Sequence, residues 1–422
     1  MPNITGDQSL LKRINRMALV RLVKAQPGLS RVDLSKRTGL TKTTVGMLVQ
    51  ELIDEGWLRQ NAPSEAQGVG RRPLPITLDP SRIGLLGADL GVDYLNVVAC
   101  NLQGELLFSR RVAYQHGEVG KSVRSLAALV ARAHTVLLEQ RRRPLGLGVG
   151  VPGMLDVRDG LLRFAPNLGW HDVRLEALLQ ERLAEAGCGG LAVSVMNEAK
   201  AAALSEYVFG AEHHTGPLVY LSMGIGLGAG IVLDDRLYLG NDGLAGEVGH
   251  TILQRDGPRC ACGRQGCAET FVSQRAVSRE ATGKERPILS IEALAERVAR
   301  GDKATIRAAQ KAGEYLGLLL QNLGNTVNPA VVVLGGPLCQ LGEVFLDTAT
   351  KQMAASAGKY DYHRQSIRTC RFGLNACAVG AAGSVFQHHL HSLGETPGLE
   401  PDQPRGPRRR PRAAAAARAA GE

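Results

Sequence analysis

Among the 422 residues of this chain, those best suited to chemistry gather in the middle. His250, Cys260, Cys262 and Cys267 follow one another with gaps of nine, one and four residues. One imidazole and three thiolates make a closed tetrahedral set for Zn2+, with no position left open for a water nucleophile. Gly263 and Gly266 let the backbone fold back so that the sulfurs converge. Three unlinked thiols in a loop would not need such tight spacing. The expectation is a structural zinc. If one ring nitrogen of His250 binds it, the other is fixed as a donor toward a ligand hydroxyl. The other five cysteines, Cys100, Cys188, Cys339, Cys370 and Cys377, read as ordinary buried thiols.

Around this loop stand groups that suit a sugar. A sugar needs carboxylates and amides aimed at adjacent hydroxyls inside a cleft. Asn197, Glu198, Glu247, His250 and Glu269 supply that chemistry, and Asn167 is a further candidate. Glu247 lies beside His250, and Glu269 lies two residues past Cys267, so the metal loop would fix the direction of both. Asn197 alone would serve equally well as a helix cap.

The elements that position these groups change character along the chain. Residues 10–60 read as three short helices. Ser30 to Asp33 forms a capping box for the second, Arg31–Thr38, Gly39 turns the chain, and Thr41 caps the third. Val45, Leu48, Val49, Leu52 and Ile53 mark the buried face of that third helix, and Gly56 stops it. Two short strands, Trp57–Gln60 and Leu74–Leu78, flank a polar loop carrying Gly68-Val-Gly-Arg-Arg-Pro73. Residues 1–80 hold 12 Lys/Arg against 7 Asp/Glu, so +5 of the formal +10 charge lies here. This reads as a winged helix-turn-helix. Lys42, Thr43 and Thr44 would meet base edges, with Thr41 opening the helix. Arg31, Lys36 and Arg37 would meet phosphates, and Arg71 and Arg72 would form the wing tip. A three-helix bundle with a basic surface is the plainer alternative, and the two-Arg wing argues against it.

After Asp79-Pro80-Ser81, read as a linker, the pattern is α/β. Two strands span Leu85–Cys100, and a third spans Glu105–Arg111. A helix follows near 121–140, then a strand at Leu145–Val151, a strand near 191–195 and a helix beginning at Asn197. Strand Leu218–Ser222 meets a glycine-rich turn, Gly224–Gly230. Helices dominate 290–327, and Ala330–Leu334 is a late buried strand. Domain boundaries are expected at 1–80, 81–392 and 393–422. The last segment is rich in Pro, Arg and Ala and is expected to be a disordered tail. Hydrophobic residues make up 44% and charged residues 21%, as in a soluble globular protein. The first residues, MPNITGDQSLLKR, lack a signal-peptide core, and apolar stretches are too short for a bilayer span, so a cytoplasmic location is expected.

Ordered motifs then carry a resemblance. They are Leu29–Leu34 with Thr38–Val45 and Gly70–Pro73, Gly87-Ala-Asp-Leu-Gly91, Gly150-Val-Pro-Gly153 and Ala165–Trp170. Asn197-Glu-Ala, Gly224–Gly230, Gly246-Glu-Val-Gly-His250 and Cys260–Glu269 complete them. From residue 10 to about 388 the chain resembles the ROK family (repressor, open reading frame, kinase), and within it the xylose-type repressors. The resemblance implies a two-lobed actin-like, sugar-kinase-like (ribonuclease H-like) ATPase fold behind the winged helix. It implies zinc at His250, Cys260, Cys262 and Cys267, and sugar at Asn197, Glu198, Glu247, His250, Glu269 and Asn167.

Two departures bear on catalysis. Kinases of this family carry an Asp-x-Gly-Gly-Thr-type phosphate loop, where this chain has Asp89-Leu-Gly91-Val92-Asp93. Val92 lacks the second glycine's freedom, and Asp93 places a carboxylate where phosphate would sit. Glu198 stands at the kinase base position in place of Asp, and a shift of about 1 Å can cost roughly a hundredfold in rate. The expectation is a repressor that keeps sugar binding and has lost phosphoryl transfer. A homodimer, or a dimer of dimers, would sit on a double-stranded DNA operator and be released by xylose, glucose or a related monosaccharide. The competing reading is a bifunctional, ATP-dependent hexokinase-type sugar kinase with a DNA-binding head. A DNA-binding protein indifferent to sugar is a third.

Overall fold

The computed structural model describes residues 8–62, 74–115, 117–156, 160–210, 216–285, 287–356 and 365–392. The loop bearing Arg71 and Arg72 and the segment 393–422 lie outside the described residues.

Local chemistry shapes the N-terminal domain. It runs α1 (Gln8–Ala25), α2 (Arg31–Thr38), α3 (Lys42–Asp54), β1 (Leu58–Gln60) and β2 (Ile76–Leu78). Ser30 and Asp33 form a reciprocal capping box, satisfying amides that the helix itself cannot pair. Gly39, at φ 71, closes α2 in the left-handed region. The Thr41 side chain accepts from the Thr44 amide and opens α3. β1 and β2 pair antiparallel, with Leu58 opposite Leu78.

The next segment runs β3 (Ile83–Leu90), β4 (Tyr94–Cys100), β5 (Leu106–Ala113), α4 (Val119–Glu139) and β6 (Arg143–Val151). A small sheet follows, β7 (Met154–Asp156), β8 (Leu161–Ala165) and β9 (Trp170–Val173), then α5 (Leu175–Glu185), β10 (Val193–Asn197) and α6 (Glu198–Phe209). The second lobe holds β11 (Leu218–Met223), β12 (Leu227–Leu233), β13 (Arg236–Leu237), α7 (Gln274–Thr282), α8 (Ile291–Ala299) and α9 (Lys303–Val327). It ends with β14 (Val331–Gly335), α10 (Glu343–Ser356) and β15 (Ser366–Thr369), before α11 (Ala376–Ser392).

Among the described residues each lobe has a five-stranded sheet, ordered β10-β6-β3-β4-β5 and β13-β12-β11-β14-β15. In both, three strands meander antiparallel and two more add in parallel on the other side of the first. The two lobes therefore share one topology. The small sheet β7–β9 was not foreseen. Its strands are short and surround the Pro166-Asn167 turn, which masks a period-2 signal.

The last helix returns to the first lobe. A Cβ on Gly87 would lie 1.9 Å from the Ala378 carbonyl oxygen, and one on Gly148 1.9 Å from that of Ala381. A Cβ on Gly380 would lie 1.7 Å from the Ala201 carbonyl oxygen of α6. α11 thus touches strand and helix backbone directly, which only glycine permits. Its C-terminal half also meets the N-terminal domain. Met17, Val45, Leu52, Trp57 and Ile76 share one apolar cluster with Val208, Phe209, Phe386 and Leu390. Trp57 and Phe386 stack with centroids 6.2 Å apart.

The expected linker is accordingly a packed corner. Asp79 is buried and accepts from the Ser81 amide at 2.8 Å, and Arg142 donates to the Pro80 carbonyl. Polar composition suggested a tether, but burial of Trp57 against Phe386 pins both sides of it.

Gly148→Ala should destabilise the protein by about 1–3 kcal/mol through overpacking. Gly46→Ala in α3, where a Cβ meets nothing within 4 Å, should gain roughly 0.5–1 kcal/mol. Thermal unfolding checks both, and equal melting of the two variants would contradict direct backbone packing.

Candidate functional site

The four metal-type ligands converge as their spacing suggested. One ligand atom from each of His250, Cys260, Cys262 and Cys267 lies within 4.8 Å of the others. Cys260 Sγ is 3.7 Å from His250 Nδ1, and Cys262 Sγ is 3.6 Å from Cys267 Sγ. A zinc tetrahedron with Zn–S near 2.3 Å has edges of about 3.7 Å, so this donor set fits that ion. The loop is braced by backbone pairing. Cys260 N–H donates to Arg264 O at 2.8 Å, and Gly266 N–H to Pro258 O at 2.9 Å. Gly266, at φ +70, passes so close to Gln254 that a Cβ would lie 1.5 Å from its carbonyl oxygen. Phe271 stacks on Tyr315 of α9 with centroids 3.8 Å apart, anchoring the loop to the second lobe. Nδ1 of His250 faces the sulfurs, leaving Nε2 as the nitrogen available to a ligand.

The loop directs two carboxylates. Glu269 Oε2 accepts from the Leu227 amide at 3.1 Å, tying it to the glycine-rich turn. Glu247 opens the short turn Val248–His250 and is exposed. Across the cleft, Glu198 begins α6. Burial, and then the negative charge of Asp89, Glu269 and Glu247, push its carboxyl up to about 8. That mutual influence places Glu198, Glu247 and Glu269 in one acidic cleft. Lys200 is buried one turn further on, donating to the Gly243 carbonyl. Burial lowers its pKa, and nearby Glu247 raises it in part.

Asn197 takes the capping role. Its Oδ1 accepts from the Ala199 and Lys200 amides at 3.0 and 3.3 Å, and its Nδ2 donates to Gly153 O at 3.1 Å. It also borders an open groove of about 630 Å³ with Asp156, Arg174, Glu176 and Lys200. A depression of about 680 Å³ along α9, by Gln254, Lys311 and Tyr315, holds none of the cleft carboxylates. Asn167 Oδ1 accepts from Arg275 at 3.4 Å. Arg275 belongs to α7, so this bond joins the two lobes. Sequence reasoning missed Arg275, because nothing local distinguishes one arginine of a surface helix from another.

The neighbouring cleft, where a phosphate loop would work, is filled. Tyr94 donates its hydroxyl to Asp89 Oδ2 at 2.9 Å. The Arg111 guanidinium lies 3.4 Å above the Tyr94 ring centroid. With Glu198, Gly336 and Cys377 these side chains leave a cavity of about 40 Å³. Nucleotide-sized ligands need several hundred. Burial raises the Asp89 pKa to about 6, against the lowering effects of Tyr94, Cys377 and Arg111. Val92 packs against the first-lobe core. The blocking side chain is therefore Tyr94, one residue beyond Asp93.

On the N-terminal domain, Lys36, Arg37, Thr41, Lys42 and Thr43 are exposed, and Thr44 is partly so. Thr41 and Thr44 hydroxyls lie 2.9 Å apart, bound to each other. Arg31 donates to Gln50 at 3.1 Å, which holds it against α3. Met47, 57% exposed, and Gln50 extend the face begun by Lys42 and Thr43. Helical spacing from Thr43 would have found both.

Both buried acids have raised pKa values. The folded protein therefore holds protons that the unfolded chain releases above its ordinary carboxylate range. This stabilisation is complete below about pH 4 and is lost as pH rises through about 6 for Asp89 and about 8 for Glu198. Glu198→Gln should flatten the upper part of that decline and melt higher than the parent near pH 9. Melting curves across pH check it, and a parallel decline in the variant would refute the assignment.

No helix among the described residues is long and apolar enough to cross a membrane. The xylose repressor of Caldicellulosiruptor bescii is 32% identical over 403 residues, covering 91% of this chain and 98% of the relative. A crystal structure of a ROK family transcriptional regulator, a homolog of the E. coli MLC protein, superposes with TM-score 0.74 at 26% identity. That match covers 91% of this chain and 98% of the other. A ROK family glucokinase from Streptomyces griseus, solved with glucose and AMPPNP, gives TM-score 0.62 at 27% identity, over 72% of this chain and 99% of its own. Residues 17–62 match the IclR helix-turn-helix domain, and residues 85–387 match the ROK family. The chain belongs to the ROK family, with its helix-turn-helix domain packed onto a two-lobed, sugar-kinase-like fold.

Proposed function

We propose that this protein is a sugar-responsive repressor that reads a DNA operator through α3, binds a monosaccharide between its lobes, and transfers no phosphate. One observation carries the reading. The cleft that would hold nucleotide phosphates is filled by Tyr94 and Arg111, while the acidic cleft beside the metal loop keeps its carboxylates. Glu198, Glu247, Glu269 and His250 would accept or donate to sugar hydroxyls, with Asn167 and Asn197 at the first-lobe side. Loss of a triphosphate seat removes the positioning on which phosphoryl transfer depends.

Zinc at His250, Cys260, Cys262 and Cys267 would hold Glu247, His250 and Glu269 in register. Lys42, Thr43, Met47 and Gln50 would face the major groove. Lys36 and Arg37, with Arg71 and Arg72 from the loop, would meet phosphates. Two such domains in a homodimer would match a palindromic operator. The printed names of the relatives make xylose the first sugar to test. Release requires that the sugar bind the low-affinity state more tightly.

Glu247→Ala should abolish the sugar response and leave operator affinity unchanged. Fluorescence anisotropy with and without D-xylose or D-glucose measures both, and normal release by the variant would contradict the site. ADP formation with a sugar panel at ordinary kinase rates would overturn the non-catalytic reading.

Zinc should be found at one equivalent per chain, and chelation should lower the melting temperature. Unchanged melting after verified metal loss would refute a structural ion.

A further inference from the structure

Two helices run side by side from the cleft to the DNA-binding domain. α6 starts at Glu198 in the cleft and ends at Tyr207, Val208 and Phe209, within or against the apolar cluster that holds Trp57. α11 starts at Ala376 and Cys377, beside Asp89 and Glu198, and reaches the same cluster with Phe386 and Leu390. The two are in direct backbone contact at Gly380 and Ala201. Packed so closely, they move as one body or not at all.

The second lobe reaches this junction by a different route. The turn between β12 and β13 carries Asp234 and Asp235 at φ 48 and 62, a conformation that side-chain-bearing residues rarely adopt. Asp235 faces both Tyr207 of α6 and Lys24 of α1. The Lys24 ammonium lies 5.9 Å from the Tyr207 ring centroid, and Arg21 also faces Tyr207. Arg21 in turn donates to the Leu390 carbonyl at the end of α11. One residue from each of three bodies meets here: the DNA-binding domain, the first lobe's helix pair and the second lobe's turn.

We infer that the Lys24–Tyr207–Asp235 contact passes the relative position of the two lobes to the DNA-binding domain, with α6 and α11 as the rigid frame against which it moves. These are positioning residues: they touch neither sugar nor DNA. A ligand that draws the lobes together shifts Asp235 against Tyr207. Lys24 then gains or loses its counter-charge, and α1 re-seats on the cluster around Trp57. Packed interfaces of this kind switch between discrete arrangements and do not deform smoothly.

The inference rests on the reading of the acidic cleft as a sugar site, and the test separates the two. The chain has two tryptophans, Trp57 at the junction and Trp170 in β9. Full-length Trp170→Phe protein leaves Trp57 as the sole indole reporter. It is titrated with D-xylose, D-glucose and a panel of pentoses, hexoses and amino sugars, with calorimetry for binding and emission for Trp57 packing. Heat and an emission shift should saturate together. Asp235→Ala and Lys24→Met in the same background should keep the heat and lose most of the shift. In otherwise unmodified protein, either change should bring the sugar-dependent ratio of operator affinities from about 5- to 150-fold toward one. Binding heat without a Trp57 shift in the parent, or a shift that survives both variants, overturns the inference and leaves the sugar site standing. Absence of heat with every sugar overturns the sugar reading and the inference with it.

Discussion

The structure depends on the fit of one helix into a bed without side chains. α11 can lie on β3 and β6 only because Gly87 and Gly148 present bare backbone to it, and on α6 only because Gly380 does the same. That close approach draws the last helix of the chain into the first lobe. It sets the depth of the cleft beside Cys377, and it carries Phe386 to Trp57. Bulkier contacts would widen all three spacings at once. Both ends of the molecule therefore answer to the same few backbone contacts.

Electrostatics then distinguishes two adjoining clefts. In one, Glu198, Glu247 and Glu269 face a shared space beside the metal loop, with burial and mutual repulsion raising the Glu198 pKa. Hydroxyl donors suit such a cluster, and a triphosphate does not. In the other, Asp89 is satisfied internally by Tyr94, and Arg111 covers that ring. A phosphate would have to displace a buried hydrogen bond and a stacked cation. The fold shared with a glucokinase has kept the first cleft and filled the second.

The metal loop links local chemistry to this larger arrangement. Its sulfurs converge through turns only a few residues long. The carboxylates at 247 and 269 are aimed because they flank that loop, and stacking of Phe271 on Tyr315 fixes the loop to α9. The N-terminal domain has no such covalent anchor. Its position is held by apolar burial and by Lys24 and Arg21 at the edge.

Whatever depends on neighbours along the chain was determined by the sequence alone. The capping box at Ser30, the turn at Gly39, the Thr41 cap, the convergence of His250 with the three cysteines, and the α/β alternation all rest on spacings of a few residues. The family motifs extended that reading to two lobes. Tertiary structure alone decided the rest. Tyr94 plugs the phosphate cleft because Arg111, on the neighbouring strand, covers its ring. Arg275 reaches Asn167 across the lobes, and Asp79-Pro80-Ser81 is a packed corner because Trp57 meets Phe386. The reason is sequence distance. A cap or a metal loop is closed by local backbone geometry, whereas a contact between residues hundreds apart exists only once the sheets and α11 have brought them together.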